Sequence, residues 1–135
     1  MTKLLAPWSE TKWLVLSSCL FIAPSVLSFC KKLYLLSMMG FLTTIISINY
    51  WRKCSKGLRR NIDLFFSKLM FIVKTYHFML YATKWSHYKY YISICLLVSI
   101  IYYIANQKIK YWYLFHVLFH TLVVYCGIKI LLIIN

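Results

Sequence analysis

The stretch "YWYLFHVLFHTLVVYCGIKILLII", residues 111–134, decides the fold. Its one side chain with a fixed charge is Lys129, near its far end. A helix needs about 20 largely apolar residues to cross the hydrocarbon core of a bilayer, so this run predicts a membrane span. It also carries two imidazoles, His116 and His120, one helical turn apart. Ionisable side chains inside a span are costly and generally have a reason to be there.

The rest of the chain agrees with a membrane setting. Hydrophobic residues make up 62% of its 135 positions, and the mean hydropathy is +0.70. A soluble domain carries about 45–50% apolar residues. The charge is lopsided: 16 Lys and Arg stand against Glu10 and Asp63, giving +14. Such basicity suits either nucleic acid or the anionic cytoplasmic leaflet. Here the basic residues mostly fall between long apolar runs, which favours lipid headgroups over a nucleic-acid surface. The five cysteines, Cys19, Cys30, Cys54, Cys95 and Cys126, form no CxxC pair. They read as small packing residues, and their odd number leaves at least one free.

Five runs qualify as spans: about 13–30, 33–51, 62–81, 90–105 and 111–134. The predicted fold is all-α, a polytopic membrane helix bundle forming a single transmembrane domain over 1–135. The fourth run is short unless flanking residues extend it. Only Lys31 and Lys32 separate the first two, so a hairpin there must be very tight. The alternative is a break at Ala23–Ser25, since Pro24 has no N–H for the helix ladder. The first run is read as an uncleaved span, because it is long for a signal-peptide core and nothing soluble follows.

The Lys/Arg bias of short loops sets the orientation. Nine basic residues (Lys3, Lys12, Arg52, Lys53, Lys56, Arg59, Arg60, Lys108, Lys110) fall on one side, and Lys31, Lys32, Lys84 and Lys89, with Lys129 at the edge, on the other. The N-terminus is therefore expected in the cytoplasm. The 52–60 loop would rest on anionic lipid headgroups: topology anchoring accounts for it, and a dedicated acidic-lipid site is the alternative. Tyr and Trp at the span ends form an interfacial belt.

Within the spans, Asp63 and Ser67 share one helix face by their i, i+4 spacing. Asp63 opens the third run, where capping is the simplest role for a carboxylate. His116 and His120 share a face likewise, and two imidazoles so placed can reach one metal ion, as in HExxH helices, although that motif's glutamate is absent. With alternating spans, Ser47, Trp51, Asp63, Ser67 and His116 fall in one layer. His77 lies about 21 Å further along its helix and His87 in an opposite loop, so neither is expected as a third ligand. Lys68 points to a different face from Asp63, and Lys74, near mid-span, faces the bundle interior or marks a helix edge.

These residues carry a resemblance. "SINYW" (47–51), "NIDLFFSKL" (61–69) and "FHVLFHTLVV" (115–124) together resemble the pattern of the CREST membrane hydrolase superfamily. That group includes alkaline ceramidases, the adiponectin and progestin receptor family, and the GPI-remodelling lipase family. Its pattern is SxxxH at the end of one span, Asp at the start of the next, and HxxxH in the last. The resemblance covers about residues 43–128. It matches Ser47 to the serine, Asp63 to the aspartate, and His116 and His120 to the final pair. It implies a metal-dependent hydrolase of lipid amide or ester bonds, with zinc on His116 and His120. Asp63 would be a third ligand or orient the water, and Ser47 and Ser67 would donate to the developing oxyanion. The chain departs from the pattern at Trp51, where the third histidine is expected, and has two spans fewer. The expected partners are the bilayer and a lipid substrate. The alternative is a non-enzymatic small membrane protein, either an accessory subunit or a pore-forming oligomer.

Overall fold

The computed structural model describes residues 5–107 and 109–134, and these are helical nearly throughout. The order is α1 (Trp8–Cys19), α2 (Ile22–Cys30), α3 (Tyr34–Arg52), α4 (Leu58–Tyr81), α5 (Trp85–Ala105) and α6 (Trp112–Ile133). Among the described residues three stretches are long and apolar enough to cross a membrane: Trp8–Cys30, which is α1 continued by α2, then α5, then α6. Helix α3 is of similar length, and α4 carries Arg59, Arg60, Asp63, Lys68 and Lys74. Large apolar side chains point outward throughout, among them Ile45, Phe65, Trp85 and Tyr103. In water such a surface would be a liability, and in lipid it is the solvated face.

The helix boundaries differ from the sequence reading in instructive ways. The first span starts at Trp8 rather than 13 and breaks at Leu20–Phe21, upstream of Ala23–Ser25. Pro24 is still the cause. It cannot donate to the Leu20 carbonyl, which accepts from Ala23 N instead at 3.2 Å. The chain tightens into i→i−3 bonds before the proline, and Pro24 itself fits in the first turn of α2, where an N–H is not required. The tight hairpin at Lys31-Lys32 is present. Lys32 takes φ 60°, Lys32 N donates to Phe29 O and Leu33 N to Ser28 O, both at 2.9 Å. This is the Schellman ending that normally uses glycine. Helix α4 starts four residues before the expected span, drawing Arg59 and Arg60 out of the 52–60 loop and into its first turn. Helix α5 gains five residues at its start, so the fourth run is no longer short.

Small residues hold the first span to α3. Ser17, Ser18, Ser25, Ser28, Ser37, Thr43, Thr44 and Ser47 are all buried. Most hydroxyls donate within their own helices, as Ser28 does to Pro24 O at 2.7 Å, while Ser37 donates across to Ser25 O at 2.8 Å. Between helices in lipid there is no hydrophobic drive, so close packing of small residues must supply the attraction. Gly40 sets the limit: a Cβ there would lie 2.1 Å from Ser25 Oγ. Gly40→Ala is therefore expected to lower stability in detergent by about 1–3 kcal/mol, the usual range for overpacking. Thermal unfolding of Gly40→Ala with and without Ser25→Ala checks this. Removing the Ser25 hydroxyl should recover part of the loss.

Candidate functional site

The ends of four helices meet where α3 stops and α4 and α6 begin. Glu10 of α1 accepts a hydrogen bond from Trp112 Nε1 of α6 at 2.9 Å. Leu5 N donates to Cys54 O at 2.9 Å. Leu14, Tyr50, Trp51 and Cys54 form a buried cluster there, with Trp112 and Val117 against it. All five cysteines are free.

Beside this cluster lies a cavity of about 690 Å³. Ser47, Asp63, Ser67, His116 and His120, the residues singled out in the sequence, all line it. Asp63 is not a helix cap. Helix α4 begins at Leu58, with Gly57 as the cap residue, so the carboxylate sits in the second turn. There it is buried and accepts a hydrogen bond from Ser47 Oγ at 2.5 Å. That bond engages the only proton of the Ser47 hydroxyl, so the expected oxyanion donor at Ser47 serves Asp63 instead. Ser67, one turn further along α4, faces the cavity and keeps its i, i+4 relation to Asp63.

The two histidines are buried in an aromatic surround. Their ring centroids are 5.3 Å apart with planes at 83°. Trp51 presents its ring to His116 at 4.8 Å and to His120 at 6.5 Å. Phe21 lies 5.1 Å from His120, and Tyr102 lies 6.1 Å from His116. His120 Nδ1 is 2.8 Å from Ser17 Oγ, which is itself 3.1 Å from the Leu14 carbonyl. With the serine proton given to Leu14 O, His120 donates from Nδ1, and Nε2 retains its lone pair. His116 Nδ1 is buried with no hydrogen-bond partner. A buried imidazole nitrogen left unpaired is an exception that calls for an explanation. Ser17 and Glu10 escaped the sequence reading. A serine inside an apolar run and an acid ahead of one carry no periodic signal that names a partner about a hundred residues away.

The fit to zinc is partial. His116 and His120 suit a metal as two imidazole donors, one of them oriented by Ser17 as metal-bound histidines usually are. A catalytic zinc centre takes three protein ligands. Asp63 is held by Ser47 and does not join the histidines: among the described residues, no three of His, Cys, Asp or Glu are grouped to hold an ion. Trp51, whose indole cannot coordinate a metal, is the side chain of α3 that faces the pair. His77 Nδ1 is 2.8 Å from the Val73 carbonyl of its own helix, at the far end of α4.

Consecutive helices α4 and α5 meet near their connection, where Thr75 Oγ1 and Tyr91 OH are 2.6 Å apart and Phe78 stacks on Tyr91 at 4.3 Å. Toward the Asp63 end the cavity runs between them, with Phe71 and Ile72 on one wall and Ile94, Val98 and Tyr102 on the other. Fold and site thus define an all-helical protein, apolar outside, with a polar recess opening between two apolar walls. Comparisons with known protein families, curated proteins and solved structures find no match for this chain.

The Ser17–His120 contact is testable apart from any activity. A double-mutant cycle of Ser17→Ala and His120→Ala, read by thermal unfolding in detergent, should give a coupling of about 1 kcal/mol, the scale of interhelical hydrogen bonds in membranes. Additive losses would show that the two side chains do not interact.

Proposed function

We propose that this chain is a multi-pass integral membrane protein of five spans with a cytoplasmic N-terminus, and that its cavity is a compact lipid amide or ester hydrolase site of the CREST type. The observation that carries the reading is that Ser47, Asp63, Ser67, His116 and His120 line one cavity within one chain. A pore would require them to face an axis between copies. The orientation rests on the Lys/Arg asymmetry of the loops. The basic residues from Arg52 to Arg60 rest against anionic headgroups and hold that end at the membrane surface.

On this reading a lipid enters sideways between α4 and α5. Its acyl chain lies along the apolar walls, and its carbonyl reaches the polar end. Asp63, buried and oriented by Ser47, takes a proton from a water molecule as the water oxygen bonds to the carbonyl carbon. The Ser67 hydroxyl donates to the oxygen on which charge develops. Breakage of the carbon–nitrogen or carbon–oxygen bond returns the proton from Asp63 to the leaving amine or alkoxide. His116 and His120 would hold zinc, which when bound supplies Lewis-acid polarisation of a carbonyl.

A second reading has one observation of its own. Trp51 packs edge-on against His116, filling the position of the missing ligand with a group that cannot coordinate. A non-enzymatic membrane protein that binds lipid without cleaving it would show this feature.

Two measurements on the full chain in nanodiscs separate the readings. Elemental analysis should find zinc in the wild type and none in His116→Ala/His120→Ala. Mass spectrometry should detect fatty acid released from a short-chain ceramide or its ester analogue, with Asp63→Asn slower by about a hundredfold or more, the scale of lost acid–base catalysis. Wild-type protein without zinc and without turnover would leave the non-enzymatic reading standing.

A further inference from the structure

The mechanism above does not use Lys74, although it lines the same cavity. It is the seventeenth residue of α4, 11 residues beyond Asp63 and thus about 16 Å further along the axis at the helical rise. A lysine near a span end reaches the headgroups with its long stem. Lys74 instead turns inward. A Cβ on Gly127 of α6 would lie 3.3 Å from its Nζ and 3.4 Å from Cβ of Pro24 in α2. Its half-buried side chain thus places the ammonium where α2, α4 and α6 meet, in space left by the absence of a side chain at Gly127.

Among the described residues no carboxylate is placed against that charge. Its acidic side chains are Glu10 and Asp63. Glu10 accepts from Trp112, and Asp63 accepts from Ser47 at the opposite end of the cavity. The nearby hydroxyls of Ser25 and Ser28 donate to the Phe21 and Pro24 carbonyls of their own helix. An ionisable residue inside a membrane bundle pairs with an opposite charge or marks a ligand path. We infer that Lys74 is a second binding pole of the cavity, one that seats the carboxylate of a single-chain amphiphile whose tail lies along the apolar walls toward Asp63. A carboxylate matches the pole because one cation neutralises one negative charge. A doubly charged phosphate this deep would keep an uncompensated charge away from water.

The inference concerns binding, and it holds whether or not the Asp63 end performs chemistry. The test is equilibrium binding of radiolabelled palmitate to the full chain in detergent, with hexadecanol as the uncharged competitor of equal length. The wild type should prefer palmitate by about tenfold or more, the scale of a charge-assisted contact. Lys74→Met, which keeps the stem and removes the charge, should bring the two ligands within about twofold of each other, while Lys74→Arg keeps the preference. Arg60→Gln/Lys68→Gln, which neutralises the other two cations lining the cavity, should leave the preference unchanged. Equal binding of both ligands to the wild type would overturn the inference. So would a preference that survives Lys74→Met, an equal loss of both ligands in that variant, or a preference lost on neutralising Arg60 and Lys68.

Discussion

The close approach of the first span to α3 is the constraint on which the rest of the molecule depends. Gly40 lets the Ser25 backbone come near, and Ser37 locks the contact with an interhelical hydrogen bond. The geometry of the site follows. With α1 and α3 together, Ser17 reaches His120 across to α6, and Leu14 packs against Tyr50 and Trp51. Glu10 then ties the start of α1 to Trp112. Three helices thereby form a fixed wall. Helix α4 joins that wall chiefly through α3, and α5 chiefly through α6. The cavity is the gap between these two less attached helices.

This division explains how one recess can be polar at its inner end and bounded by apolar walls. Polar groups inside a bilayer must find partners within the protein. Ser47 with Asp63 and Ser17 with His120 meet that demand at the wall. The opening between α4 and α5 carries Phe71, Ile72, Ile94 and Val98, which tolerate hydrocarbon. The charged groups on the cavity side of α4 are Arg60, Asp63, Lys68 and Lys74. Three cations stand there against one anion.

Much of this was legible in the sequence because hydropathy acts over whole helices. The apolar runs located each rod to within a few residues, and the i, i+4 spacings put Ser67 with Asp63 and His120 with His116 on shared faces. What depended on neighbouring helices was hidden. The effect of Pro24 appeared three to four residues upstream because the bond it removes belongs to the Leu20 carbonyl. Asp63 looked like a helix cap because the charged residues before it resembled a loop, yet Gly57 starts the helix earlier and frees the carboxylate to face Ser47. Ser17 gave no sign of its role, since in linear sequence it is one serine in an apolar run.

The central claim is that residue 51 of α3 and the histidine pair of α6 face one another inside a single chain, so that one side chain separates this site from a three-histidine centre. Trp51→His tests it most directly. An imidazole at that position should raise zinc affinity by about a hundredfold, the effect of an added ligand on a preorganised pair, and His116→Ala in that background should abolish the gain. The readout is competition of the monomeric protein with a chromogenic chelator. Unchanged zinc affinity in folded Trp51→His protein, or a gain that survives loss of both His116 and His120, would contradict the account.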